Sequence, residues 1–326
     1  MKKQKILEVK NLKTYFPLKR NYFGQVTNYT KAVDDVSFDL YKGEVLGIVG
    51  ETGSGKSTIG RSLLRLVEPT GGSIFYRGEN ITEMKGEKLR KIRKNIQMIF
   101  QDPFASLNPR ISIGECIVEP MKEHAIYRKS DCFQRALMLL EKVGLDKDYY
   151  IRYPHEFSGG QRQRVGIARA LALDPEIIIA DEAVSSLDVS VQAQIINLFS
   201  DLQQELGLTY IFIAHDLSVV KFVSNSIIVI YLGEIMEIAN KEDLFNQPLH
   251  PYTQALISAI PVPDPNKRGR RIILKGEIPS PAHPPTGCKF STRCFKAMDV
   301  CHEIHPDLVN FDNHQVRCHL YQKKEE

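Results

Sequence analysis

Residues 50–57 read Gly50-Glu51-Thr52-Gly53-Ser54-Gly55-Lys56-Ser57, and this stretch decides which fold the chain can adopt. Its glycines let successive backbone N–H groups turn inward around an anion, and a helix N-terminus behind them adds partial positive charge. The flanks are those such a loop needs. Residues 45–49, Val-Leu-Gly-Ile-Val, form an apolar strand in front, and Ile59, Leu63, Leu64 and Leu66 mark helical spacing behind. Strand, glycine loop and helix together read as a cradle for phosphate. Lys56 supplies a full charge that reaches the β- and γ-phosphates of a nucleotide, and the Ser57 hydroxyl is a ligand for Mg²⁺.

Outward from that loop the pattern continues. Residues 96–100, 176–180 and 211–214 are short apolar runs of the kind buried on both faces of a parallel sheet. Residues 133–143, 161–173 and 191–206 carry helical periodicity. The alternation predicts an α/β domain with a mostly parallel sheet and flanking helices. Nearer the N-terminus, residues 6–15 and 32–40 alternate polar with apolar side chains, as in a half-exposed antiparallel sheet, and the polar stretch 19–31 between them reads as a loop. The basic run 88–94 is expected on a solvated helix face.

At 326 residues the chain has room for one large domain plus an appendage, or for two ordinary domains. A hydrophobic share of 43% and a charged share of 25% suit a globular protein with a full core. The net charge of +4 is mild for this length and gives no reason to expect a nucleic-acid partner. No apolar run approaches the ~20 residues that span a bilayer. The basic start reaches only Ile6 and Leu7 before Glu8, too little for a signal-peptide core. The expected compartment is the cytosol, where cysteines stay reduced, so the six present should be free thiols, catalysts or metal ligands.

Further candidates sit where core strands end. Asp181 and Glu182 follow the run 176–180, at the carboxyl edge where open α/β sheets bind ligands. Two adjacent carboxylates repel each other unless a cation is near, so Asp181 is expected to hold magnesium through water and Glu182 to orient or deprotonate an attacking water. Gln101 ends one core run and His215 another. Ser158-Gly159-Gly160-Gln161 repeats the logic of an anion site, with small residues ahead of a helix, yet lacks a lysine. Either it serves another ligand, or it serves a ligand presented by another chain.

The phosphate loop, Gln101, Ser158 to Gln161, Asp181-Glu182, Asp188 and His215, in this order, resemble an ATP-binding cassette ATPase over roughly residues 6–240. The resemblance implies a phosphate-loop core, an N-terminal antiparallel β subdomain and a helical subdomain over about residues 102–165. It implies that Tyr15 stacks on adenine, that Gly50 to Thr58 wrap the phosphates, and that Gln101 touches magnesium and senses a membrane partner. His215 would contact the γ-phosphate, and Asp188 would lie at a subunit junction. Ser158 to Gln161 would close over the γ-phosphate held by the other subunit of a head-to-tail pair. Glu182 is followed by Ala183-Val184 rather than the commoner Pro-Thr, a departure that spares every charged position.

Ten of the 17 prolines lie from Pro248 onward, so the last 79 residues should be an irregular appendage. Residues 250–256, 261–265 and 276–285 resemble the C-terminal extension of oligopeptide and dipeptide importer ATPases, in wording closest to the F-type subunit. That implies a cassette domain over 1–247 and an extension over 248–326. It also implies a related D-type ATPase as heterodimer partner, two transmembrane permease subunits, an extracytoplasmic peptide-binding protein, and a peripheral position on the cytoplasmic side of the cell membrane. The expected activity is ATP hydrolysis, carried by Glu182, His215 and Lys56, that powers peptide import. The alternatives are an importer ATPase for nickel or another small solute, and a non-transport cassette ATPase. The extension holds Cys288, Cys294, Cys301 and Cys318. Their spacing lacks a Cys-x-x-Cys knuckle and is by itself a weak metal signal. The resemblance implies a [4Fe-4S] cluster with the four thiols as ligands, against zinc or unligated thiols. Cys116 and Cys132 are expected as small buried residues.

Overall fold

The computed structural model describes residues 4–20, 26–261 and 271–322. Two long N-terminal strands, β1 (Lys5–Arg20) and β2 (Val26–Tyr41), precede the buried strand β3 (Val45–Val49) and helix α1 (Lys56–Leu63). A hairpin follows, β4 (Gly71–Tyr76) and β5 (Glu79–Asn80). Then come α2 (Gly86–Asn95), β6 (Ile96–Ile99), α3 (Pro103–Ser106), α4 (Ile113–Glu123), α5 (Lys129–Lys142) and α6 (Gly159–Leu171). The chain returns through β7 (Ile177–Asp181), α7 (Val189–Leu206) and β8 (Thr209–Ala214) to α8 (Leu217–Val223), β9 (Ser226–Tyr231) and β10 (Glu234–Asn240). Short elements end it: α9 (Lys241–Asn246), α10 (Pro251–Ser258), α11 (Val300–Glu303), β11 (Val309–Phe311) and β12 (His314–Val316).

Backbone proximity divides the chain into two compact units. One holds Tyr41–Val45 and Glu83–Ile213; the other holds the described residues of Gln4–Leu40, Leu46–Thr82 and Ala214–Glu326. In the first unit β8, β7 and β6 lie side by side in parallel, with Ile179 opposite Met98 on one side and Ile211 on the other. Every residue of β7 and β8 is buried, because helical connections leave neither face to water. The helices of this unit have clear start signals. Ser112 caps α4 in a capping box with Glu115, and Asp188 caps α7 by accepting the Val191 N–H.

In the second unit β2, β1, β4 and β5 form an antiparallel sheet, with Val9 opposite Ile74. A second sheet joins β3 in parallel to β9, pairs β9 with β10 antiparallel, and adds β12 and β11 on the far side of β10. Alternation in β2 is visible in its burial, with Val36, Phe38 and Leu40 inward and the residues between them half-buried. The C-terminal residues thus contribute two strands to a sheet that begins at the phosphate loop. No Val-rich run announced β11 and β12; three-residue strands carry too short a pattern to read.

Most boundaries shift by a few residues from the sequence reading, as where β6 ends at Ile99 and α5 begins at Lys129, and three shifts bear on the site. Helix α6 starts at Gly159 rather than 161, because Ser158 rather than a later residue accepts the Gln161 N–H. Asp181 is the last residue of β7 rather than the first after it. The predicted loop 19–31 is shorter, since β1 runs to Arg20 and β2 begins at Val26; residues 21–25 of it lie outside the described residues. So do 262–265 of the proline-rich segment and residues 1–3 of the basic start. No helix among the described residues is long and apolar enough to cross a membrane.

Ile179 is fully buried in the middle of the three parallel strands. Ile179→Ala is expected to destabilise the fold by about 2–5 kcal/mol, read as a lower denaturant midpoint.

Candidate functional site

In the second unit the phosphate loop is shaped by what presses on it. A Cβ at Gly55 would stand 2.0 Å from the carbonyl oxygen of Ala32, and Gly55 also has φ +102°, so only glycine fits. A Cβ at Gly50 would stand 2.1 Å from the Ile230 carbonyl oxygen. The Gly233 N–H, in the tight turn from β9 to β10, donates to the Ser54 carbonyl at 2.8 Å. Lys56 is buried and its Nζ donates to the carbonyls of Gly50 and Glu51 at 2.8 and 2.9 Å. The ammonium is thereby held over its own loop, where phosphate oxygens can take the place of carbonyls. Thr52 and Gly53 are exposed, while Ser57 and Thr58, in the first turn of α1, are half-buried.

Tyr15 is half-buried on β1, with Lys31 Nζ 5.5 Å from its ring centre. Its hydroxyl donates to Asp34 Oδ1 at 2.5 Å. Burial and then this hydrogen bond push the phenol well above its usual range. Burial alone would raise the Asp34 carboxyl; the Tyr15 hydroxyl and the Lys289 ammonium outweigh it and hold the carboxyl below its usual value. His215 directly precedes Asp216, whose side chain caps α8 by accepting the Ser218 N–H, and is itself exposed.

In the first unit Asp181 is only 1% exposed at the end of β7. The next residue, Glu182, has φ +47°, an unusual conformation for a side chain of this kind and one that functional sites often retain. The surroundings enforce it: the Glu182 N–H donates to the Ile213 carbonyl at 2.9 Å, and the Ser185 hydroxyl donates to the Glu182 carbonyl at 3.0 Å. Gln101 Nε2 donates to Glu182 Oε2 at 2.7 Å, so two candidates far apart in sequence meet. Ser158 and Gly159 are exposed at the start of α6, and Gln161 closes a capping box with Ser158. Asp188 is exposed; the Ser190 hydroxyl and the Val191 N–H hold its carboxyl below the usual range.

The four C-terminal cysteines lie in the second unit. Cys288, Cys301 and Cys318 are buried, and Cys294 is half-buried. The Cys288 N–H donates to the Cys301 carbonyl at 2.8 Å, and the Lys296 N–H reaches Cys294 Sγ at 3.4 Å. Burial, with the neighbouring Cys318, Cys301 and Cys294 adding to it, pushes the Cys288 thiol up to about 12. Among the described residues no group of three or more His, Cys, Asp or Glu side chains converges as the ligands of one metal ion would. Cys116 and Cys132 are buried.

Residues that sequence reasoning passed over surround the loop. Arg293 grips Glu51 with both terminal nitrogens, at 2.6 and 3.1 Å. Tyr252 accepts the Glu51 N–H at 2.9 Å, and Lys289 joins Asp34 and Glu234 at 3.1 and 2.9 Å. These partners are up to 255 residues apart, so no local spacing connects them.

Comparison with known proteins agrees with this geometry. The ABC transporter family model matches residues 33–185, and the model for the oligopeptide/dipeptide transporter C-terminal region matches residues 236–301. The oligopeptide transport ATP-binding protein AppF of Bacillus subtilis is 55% identical over 322 residues, 97% of each chain. The oligopeptide transport ATP-binding protein OppF of Salmonella typhimurium is 49% identical over 318 residues, 96% of this chain and 95% of that one. Among solved structures, a dimeric ATP-binding cassette in a post-hydrolysis state with ADP and Pi superposes with TM-score 0.64 at 29% identity, over 72% of this chain and 99% of that one.

The crowding at Gly55 makes a sharp comparison with Gly166 in α6, where an added Cβ meets nothing within 4 Å. Gly55→Ala is expected to abolish nucleotide binding in a titration. Gly166→Ala is expected to stabilise the protein by about 0.5–1 kcal/mol in denaturant unfolding.

Proposed function

The chain belongs to the ABC transporter ATP-binding proteins of the oligopeptide and dipeptide branch, and from that premise we propose how its residues do the work. It is an ATPase subunit that powers peptide import, converting ATP and water to ADP and phosphate. The observation that carries this reading is the union, in one compact unit, of a phosphate loop and an oligopeptide-type C-terminal region that grips it. Cargo of another kind, such as nickel, is not favoured.

Gly50 to Thr58 cradle the phosphates, with Lys56 transferring its hydrogen bonds from loop carbonyls to phosphate oxygens, and Tyr15 stacks on adenine. Magnesium, when bound, neutralises charge on the phosphate oxygens; the hard oxygen donors that would hold it are Ser57, Gln101 and, through water, Asp181. Glu182 orients the water that attacks the γ-phosphorus and takes its proton as the bond to ADP breaks. The fixed backbone at Glu182 and the hydrogen bond from Gln101 support that role, because both restrict where the carboxylate can point. His215 contacts the γ-phosphate.

Ser158 to Gln161 serve in trans, over a nucleotide held by a second cassette, and Asp188 lies at that junction. The exposure of Ser158, Gly159 and Asp188 supports this, as does the dimeric state of the similar cassette solved with ADP and Pi. The partner cassette is a related D-type subunit. The pair drives two transmembrane permease subunits supplied by an extracytoplasmic peptide-binding protein, from the cytoplasmic side of the cell membrane. Residues 1–247 form the cassette, with a helical subdomain over about 102–165, and residues 248–326 form the extension. Its four cysteines hold a [4Fe-4S] cluster that pins an extension poor in regular structure.

Glu182→Gln is expected to bind ATP normally and to hydrolyse it about 10² to 10⁴ times more slowly in a phosphate-release assay. Unchanged turnover would remove Glu182 from the mechanism. Anaerobically purified protein is expected to contain iron and acid-labile sulfide in equal amounts; absence of both would discard the cluster. Isolation from membranes should bring down a sister cassette and two polytopic proteins, whereas recovery with ribosomes would contradict the transport role.

A further inference from the structure

The first two cysteines of the extension are separated by five residues, and two of those five are cations that leave the cysteine region altogether. Lys289 has 5% of its side chain exposed and lies among Asp34 Oδ2, Glu234 Oε1 and the Leu232 carbonyl, at 3.1, 2.9 and 3.1 Å. Asp34 is the residue that receives the Tyr15 hydroxyl. Arg293, with 8% of its side chain exposed, forms its two-pronged pair with Glu51 and lies over the Tyr231 ring at 5.8 Å. Between them Phe290 is fully buried, with ring centres 5.3 Å from Tyr231 and 5.2 Å from Tyr252. Tyr252 in turn holds the Glu51 N–H.

Three contacts of one short segment therefore lead to nucleotide-site groups: from Lys289 to Tyr15 through Asp34, from Phe290 to the Glu51 backbone through Tyr252, and from Arg293 to the Glu51 carboxylate. We propose that the segment from Cys288 to Cys294 is a positioning element for the nucleotide site, and that Arg293, acting through Glu51, sets the shape of the phosphate loop. Glu51 is the second residue of that loop, so its carboxylate has an alternative fate without Arg293. Released from Arg293, it would no longer fix the backbone that carries it, and the loop would lose the shape that receives phosphate oxygens. The two-pronged pair fixes both the direction of the side chain and the backbone that carries it, which a single-point contact from lysine would not do. The pair is mostly shielded from solvent, so removing either partner leaves a charge with its desolvation uncompensated.

The inference rests on the nucleotide-site reading of Lys56 and its loop, and its test separates the two. Binding of ADP and of ATP is titrated on the full chain and on Lys56→Ala, Arg293→Met, Arg293→Lys, Glu51→Gln and the Arg293→Met/Glu51→Gln double variant, well below each protein's unfolding temperature. Arg293→Met is expected to weaken nucleotide binding about tenfold, Arg293→Lys to recover part of that loss, and Glu51→Gln, which preserves side-chain size, to weaken binding in the same direction. The double variant should bind no worse than Arg293→Met alone, since both act through one contact. With hydrolysis measured alongside, the loss should fall on KM while kcat stays within about twofold, a split that general destabilisation does not produce. Should Arg293→Met fail to fold, Glu51→Gln decides. Affinity within twofold of wild type for Glu51→Gln, or additive losses in the double variant, overturns the proposal. Failure of the wild-type chain to bind ATP, or unchanged binding by Lys56→Ala, would instead overturn the nucleotide-site reading itself.

Discussion

The carbonyl oxygen of Ala32 reaches so near the backbone of Gly55 that no side-chain carbon can stand there, and the Ile230 carbonyl does the same at Gly50. These two close approaches fix where the phosphate loop bends. Ala32 belongs to β2 of the antiparallel sheet, and Ile230 to β9, the parallel neighbour of β3. The loop is therefore a backbone object held from outside, its bends set by carbonyls that crowd Gly50 and Gly55. Lys56, buried against its own loop carbonyls, adds the one full charge the cradle needs.

Much of this was legible in the sequence, for reasons tied to particular residues. The loop announces itself because glycine, lysine and serine occur at spacings set by covalent geometry, and the apolar runs before it and around Ile179 are buried on both faces. Asp181-Glu182 and Gln101 were readable from their position at strand ends, although their meeting at 2.7 Å was not. The φ of +47° at Glu182 was hidden as well, since glutamate gives no hint of it, while contacts with Ile213 and Ser185 hold its backbone. The extension was read as an irregular appendage from its prolines. What could not be read is that it supplies two strands to the β9–β10 side of the sheet and two buried cations to the nucleotide site. Arg293 and Glu51 are 242 residues apart, and pairings at that separation leave no trace in local periodicity.

The same unit shows how the extension is anchored. Glu237, fully buried on β10, accepts the N–H groups of Leu249 and His250 and pairs with His314 Nδ1 at 2.8 Å. It thereby ties the start of α10 and strand β12 to one carboxylate. Burial drives the His250 imidazole down to about 3, so it stays neutral and its Nδ1 accepts the Tyr252 N–H. Tyr252 is the residue whose hydroxyl holds the phosphate loop at Glu51. A buried polar chain thus runs from β10 through α10 to the site, with partners for the groups named along it, which is the condition under which such networks specify one arrangement.

On the proposed reading, cargo recognition is delegated to other chains, while this chain would convert nucleotide energy into closure and reopening of a paired assembly. The most direct measurement of that claim is phosphate release from Mg-ATP by the reconstituted complex of this chain with permease subunits and the proposed partner cassette, with the binding protein added empty or peptide-loaded. The account predicts that the peptide-loaded binding protein raises the rate well above the empty one. A rate indifferent to peptide would contradict the assignment of this ATPase to peptide import.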